Sequence, residues 1–392
     1  MRFLSFFTQI TRIMYLVAFI SFLMRISQFM SLPFLAIYLS HQGVMTASQI
    51  GLVLGIGPLV FSATGLMNGM YVDRQSHKRT IIFGLFFASL CFFGFAFSIG
   101  FFYGLLLLNA ALGWLRSLVD ISAIAMVVDH TPSEKLSLGF SARFIGVNLG
   151  VAIGPLLGAY MATTQYPLSI FFISGGIYFV IALGMIFYRE KPKIKISSSM
   201  QDDLLTHFFD VVKNKFLIII TLINFIIWVI YAQMDTTFPQ FLAQHVKNPA
   251  TLFSYFMLIN ALICVFFQPI ILRWAELTSP KLSGIAGCVM FSISFLMLSF
   301  YPSIPFMIIA IAIMSFGELF ILPVNALLVM KAAPKNLLSS YNGFTNFSLL
   351  GLSFGPILGG LGLQFIGSSY LFFLDGLLPI IAIWLYLKFI RE

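Results

Sequence analysis

The run G-V-A-I-G-P-L-L-G, Gly150 to Gly158, returns as G-L-S-F-G-P-I-L-G-G, Gly351 to Gly360, a step of 201 residues from Gly154 to Gly355. Each copy lies in an apolar stretch long enough to cross a bilayer. Gly150, Gly154 and Gly158 in the first copy, and Gly351, Gly355 and Gly359 in the second, leave one helix face bare, so a neighbouring helix can approach closely. Pro155 and Pro356 each remove a backbone donor and bend the helix that carries them. Glycine and proline are commoner in membrane helices than in soluble ones, so a single copy would carry little weight. Two copies about half a chain apart indicate a duplicated membrane protein.

Composition sets the same bound. The 392 residues are 60% hydrophobic and only 9% charged, with a mean hydropathy of +1.00, whereas soluble domains carry charge on roughly a quarter of their residues. The net charge of +9 does not point to nucleic acid, because Lys and Arg fall mainly in short loops on one side of the apolar runs, where they report orientation. Cys91, Cys264 and Cys288 are scattered through apolar runs and form neither a disulfide framework nor a metal spacing; they read as small core residues. The five histidines fall at loops or span ends, which leaves no metal cluster to expect.

Taking about 20 apolar residues per span, twelve spans are expected: 14–38, 48–71, 80–99, 103–128, 139–162 and 167–188 in one half, then 217–242, 252–273, 282–301, 304–330, 339–362 and 368–389 in the other. The reading is an all-α integral membrane protein of two pseudo-symmetric six-helix bundles, 1–188 and 217–392, joined by a polar cytoplasmic linker at 189–216. With both termini cytoplasmic, Arg74, Lys78, Arg79, Lys135, Arg273, Lys281 and Lys335 all lie inside and Lys247 outside. Further pairs match across the halves: Pro33 with Pro239, Asp73 with Glu276, and Arg116 with Glu318. Parallel six-helix repeats are a transporter design, with substrate expected near the midplane.

The loop G-M-Y-V-D-R-Q-S-H-K-R, Gly69 to Arg79, resembles the signature G-x-x-x-D-R-x-G-R-[RK] of the major facilitator superfamily, with Gly69, Asp73, Arg74 and Lys78 in register. Ser76 replaces a glycine of that pattern and His77 an arginine. The resemblance implies a cytoplasmic gate in which Asp73 sits near the start of span eleven while Arg74 or Arg79 pairs with Asp129, at the end of span four. The span-five seam resembles the antiporter motif of the drug and proton exchanging branch. That branch's fourth-span arginine is absent, since the position four before Gly113 is Asn109.

Charges inside the spans are the most informative residues, because an ionisable group near mid-bilayer costs roughly 2.5–3.5 kcal/mol on insertion scales and normally faces a partner or a watery cavity. Arg25, Arg116 and Glu318 fall near mid-depth, Asp120 about one turn further in, and Asp235 towards the outside. Glu318, Asp235 and Asp120 are the candidate proton-coupling acids. Arg25, Arg116, Phe29, Tyr231 and Phe320 are the candidate substrate residues. Structural alternatives stay open: Arg116 and Asp120 are placed to neutralise each other on one helix face, Glu318 to pair with Arg25 or Arg116, and Arg143 to snorkel.

The expected function is secondary active transport by alternating access, as proton-coupled export of small amphipathic compounds. The alternatives are a carrier for one anionic or zwitterionic metabolite, such as a siderophore-like compound or sugar, and a membrane sensor that no longer transports. No nucleophile, metal or nucleotide motif suggests an enzyme or a cofactor. The expected partners are a small-molecule substrate, protons and the lipid of a bacterial inner membrane, with no nucleic acid and with the chain acting as a monomer.

Overall fold

The computed structural model describes residues 11–132, 135–162, 166–189, 213–300, 303–332, 341 and 344–390. Among them run twelve long helices: α1 (Arg12–Gln42), α2 (Ala47–Arg74), α3 (His77–Phe97), α4 (Phe102–Asp129), α5 (Leu136–Ala162), α6 (Ser169–Phe187), α7 (Lys215–His245), α8 (Pro249–Leu277), α9 (Pro280–Phe300), α10 (Ile304–Ala332), α11 (Gly351–Phe365) and α12 (Ser368–Phe389). A 3₁₀ turn, Asn346–Leu350, leads into α11. All twelve, α11 together with the 3₁₀ turn before it, are long and apolar enough to cross a membrane, so the chain is an all-α multi-pass membrane protein. Most of the expected linker, 190–212, lies outside the described residues.

Turn chemistry sets the ends. Gly43 takes the left-handed conformation (φ 62°) that closes α1, and its N–H bonds back to Ser40 O; a residue with a Cβ would be strained there. Gly367 (φ 80°) separates α11 from α12. Ser76 opens α3 by accepting the Arg79 N–H, an N-cap that the glycine of the resembled loop pattern could not supply.

Contacts divide the chain into two compact units, the first made of Met1–Met45, Ile56–Ser197 and Val246–Ser254, the second of Thr46–Gly55, Ser198–His245 and Tyr255–Glu392. The repeat seen in the sequence is a repeat of packing. In the first unit α1 packs on α4, α5 and α6, and α3 packs on α4 and α6. The second unit has the same pairs shifted by six helices, α7 on α10, α11 and α12, and α9 on α10 and α12.

The glycine seams are where α1 meets α5 and α7 meets α11. A Cβ at Gly150 would lie 2.6 Å from Phe22 O, one at Gly154 2.9 Å from Ile26 O, and one at Gly158 2.6 Å from Met30 O. In the second unit a Cβ at Gly351 would lie 2.6 Å from Phe225 O and one at Gly355 2.5 Å from Val229 O. Successive glycines on one helix therefore meet backbone carbonyls four residues apart on the next, which is the close approach that small residues permit between membrane helices. Within the second unit α11 also presents Pro356 and Gly360 to Gly51, which accounts for the grouping of Thr46–Gly55 with that unit.

Candidate functional site

In the first unit three helices bring charge together. Asp120 of α4 receives a hydrogen bond from Arg143 of α5 (Nη2 to Oδ1, 3.0 Å), and its Oδ2 faces Arg25 of α1 at 3.6 Å. Arg25 also donates from Nη1 to Gln28 Oε1 at 2.8 Å. The side chains are 24% (Arg25), 13% (Asp120) and 20% (Arg143) exposed, so the cluster borders open space and is not sealed in the core. Arg116 lies one turn before Asp120 and turns its guanidinium over the Phe61 ring, 5.9 Å from the centroid. Tyr178 of α6 is fully buried and within electrostatic reach of Arg25, Arg116 and Asp120.

These contacts correct two expectations. Arg25 has Asp120 as a carboxylate partner within its own unit. Asp120 is held by arginines from two other helices, and the intrahelical pair with Arg116 does not form. Arg143 does not snorkel but points inward to Asp120, because a guanidinium on α5 that reaches a carboxylate on the adjacent helix gains a charge-assisted hydrogen bond. Sequence reading left Arg143 and Tyr178 out of the site; spacing within one helix says nothing about which helix lies opposite.

In the second unit the acids inside the spans stand among neutral groups. Glu318 of α10 accepts a hydrogen bond from Asn260 Nδ2 of α8 at 2.9 Å, and Asn260 is itself within 3.1 Å of Ser315 Oγ. Tyr231 of α7 and Cys264 of α8 also stand near the Glu318 carboxylate. Asp235, one turn beyond Tyr231, is within electrostatic reach of the same carboxylate. Among the described residues no Lys, Arg or His forms an ion pair with Glu318 or Asp235. Cys264, read from the sequence as a core residue, is a member of this cluster. The other aromatic candidates divide: Tyr231 stands edge-on to Trp228, Phe29 sets its Cβ against Gly154, and Phe320 turns to Trp274, 5.6 Å away between centroids, and so leaves the Glu318 cluster.

At the α2–α3 turn His77 Nε2 lies 2.8 Å from Asp129 Oδ2, so the residue that departs from the signature pattern makes a hydrogen bond to the acid expected to pair with Arg74 or Arg79. Lys78 donates to Ile186 O at the end of α6 (2.8 Å), Arg74 ends α2 at an exposed position, and a Cβ at Gly69 would meet open space. The side chain of Asp73 is outside the described residues.

Comparison with known proteins agrees with the architecture: the family model for the Major Facilitator Superfamily matches residues 17–349. The chain belongs to the Major Facilitator Superfamily. It is 28% identical over 351 residues to the uncharacterized MFS-type transporter YqjV of Bacillus subtilis (strain 168), covering 88% of this chain and 85% of that protein. It is 23% identical over 363 residues to a Na(+), Li(+), K(+)/H(+) antiporter of Planococcus maritimus, covering 82% of each. Among solved structures, a bacterial homolog of the human lysosomal transporter Spinster, crystallised inward-facing and unoccupied, superposes with a TM-score of 0.83 at 14% identity, over 95% of both chains. The chain is an MFS transporter.

Proposed function

We propose that this transporter exports small amphipathic compounds in exchange for protons by alternating access, as a monomer in a bacterial cytoplasmic membrane with both termini inside. One observation carries the reading. Glu318 is a membrane-embedded carboxylate that accepts a hydrogen bond from Asn260 and has Tyr231 and Cys264 beside it, all neutral groups able to donate. Such a group can work in both protonation states: charged, it can accept from all three; protonated, its own O–H has the Tyr231 oxygen as acceptor. Among the described residues no cation is paired with it. A proton and a substrate group can thus alternate at one site, which is the requirement for exchange, and a bias of about 1.4 kcal/mol between two orientations already shifts their ratio tenfold. The Planococcus relative, named as a cation/proton antiporter, and the span-five seam both favour exchange over uniport.

The test is flux in proteoliposomes with an imposed pH gradient, across a panel of anionic, zwitterionic and cationic amphiphiles. Wild-type protein is expected to accumulate at least one compound against its gradient. Glu318→Gln is expected to bind that compound yet only equilibrate it. Uphill accumulation by Glu318→Gln at the wild-type level would move the coupling acid elsewhere, with Asp235 next and Asp120 after it.

A further inference from the structure

The polar cluster of the first unit holds more donors than its own residues can satisfy. Three guanidinium groups, Arg25, Arg116 and Arg143, surround one carboxylate, Asp120, whose two oxygens already face Arg143 and Arg25. Arg116 has no carboxylate within ion-pair distance among the described residues. Arg143 Nε and the Tyr178 hydroxyl are each buried without a hydrogen-bond partner. An unmet buried donor is destabilising, the more so when charged, and buried polar groups in folded proteins nearly always find partners. The missing component is an acceptor with negative charge.

We infer that this cluster is a binding subsite for the carboxylate of the transported compound, an inference that rests on the transport reading above and names its substrate class. A carboxylate matches the planar fork of a guanidinium, which takes both oxygens at once. Asp120 limits the guest to a single negative charge, since a second would face its carboxylate. Phe61 beneath Arg116 and Phe29, one turn beyond Arg25 on α1, supply apolar surface for the rest of the molecule. The class is therefore amphipathic monocarboxylates, zwitterions included.

The full-length protein in phosphatidylcholine nanodiscs tests this by calorimetric titration and thermal unfolding with three probes of one shape: benzoate, benzamide and benzylamine. Benzoate is expected to bind saturably and raise the unfolding midpoint, and the other two to do neither. Arg116→Gln should weaken benzoate roughly tenfold or more, the loss of one charge-assisted bond, and Arg116→Lys by less. Asp120→Asn should tighten benzoate, a gain that misfolding cannot imitate. Equal binding of benzamide or benzylamine, or benzoate affinity unchanged in both Arg116→Gln and Asp120→Asn, would overturn the assignment. So would displacement of benzoate by inorganic phosphate at equal concentration, which marks a free-anion site, or loss of benzoate binding in phosphatidylglycerol nanodiscs, which gives the site to a lipid headgroup. The two readings fail separately. Benzoate binding without any pH-driven flux removes the exchanger and keeps the subsite, while flux of cationic compounds alone without benzoate binding does the reverse.

Discussion

The two units share a packing plan and differ in charge. Arg116 of α4 and Glu318 of α10 are equivalent in the repeat, yet one is a cation among arginines and the other an acid among neutral donors. The link between the first and fourth helices of each repeat differs in kind as well. Arg25 and Asp120 join α1 to α4 by charge, whereas Asn325 donates to Asn224 at 2.5 Å to join α10 to α7, and receives the Tyr386 hydroxyl of α12. A duplicated scaffold needs the same bare glycine faces in both copies, because the backbones meet there. The side chains that border open space are under no such demand. On the readings above, one unit has become the place for an anionic group and the other the place for a proton.

The largest expected effect separates the units outright. Glu318→Gln should reduce uphill accumulation to simple equilibration while leaving the substrate affinity within a few fold, and Arg116→Gln should weaken affinity roughly tenfold while leaving pH coupling of the residual flux intact. Equilibrium binding and pH-jump flux on the same preparations check both halves. If the two variants fail in the same way, the division of labour between the units is wrong.

Next in size is a test of what the units share. Gly154→Leu and Gly355→Leu each drive a side chain into a backbone carbonyl of the facing helix. Overpacking of this kind costs roughly 1–3 kcal/mol, and both variants should still insert but transport poorly, by similar factors. Strong loss from one and none from the other, at equal expression, would show that only one seam must stay closely packed.

How much of this was legible beforehand follows from the same contrast. The glycine seam could be read because its signal is a local pattern with one physical meaning, and α5 and α11 lie on the partners that the pattern requires. The twelve spans were readable from length and hydropathy; α1 runs on to Gln42, where Gly43 in the left-handed conformation closes it. The charged residues were visible, but their partners were not. Nothing in the order Arg25, Asp120, Arg143 states that α1, α4 and α5 meet at that depth, and Asn260 and Cys264 carry no charge to draw the eye to Glu318. At the α2–α3 turn the sequence showed the substitution of His77 and hid its use.

A smaller effect is expected at the ionic link. Asp120→Asn leaves Arg25 and Arg143 without their carboxylate, and because all three side chains are partly exposed the loss should be well below that of a fully buried pair, about 1–2 kcal/mol. Asn325→Leu, which removes a neutral link at the matching helices, should cost about the same from unmet Asn224 and Tyr386 groups. The informative readout is salt: the first loss should shrink at high ionic strength and the second should not. Equal salt response would deny the difference in kind.

The smallest effect concerns His77, and it sharpens the comparison because the second half places Pro280 near the matching helix start, a residue with no side-chain proton to share. His77 is 2% exposed and Asp129 27%, so the contact runs from an enclosed ring to a part-exposed carboxylate, and a hydrogen bond of this kind contributes roughly 1 kcal/mol. Exchanging His77→Arg restores a permanent cation at the position where the resembled signature carries one, but a guanidinium is longer than an imidazole and must fit where the ring is now enclosed. His77→Leu keeps the burial and removes the bond. If the contact is chiefly electrostatic, His77→Arg should hold Asp129 at least as well as histidine does and His77→Leu should lower the unfolding midpoint by a degree or two, on the order of 1 kcal/mol spread over a large membrane domain. If the ring is chiefly packing, the order reverses, with leucine tolerated and arginine destabilising. A double-mutant cycle with Asp129→Asn decides between them, since a coupling energy near zero would leave His77 as a core residue that happens to face an acid.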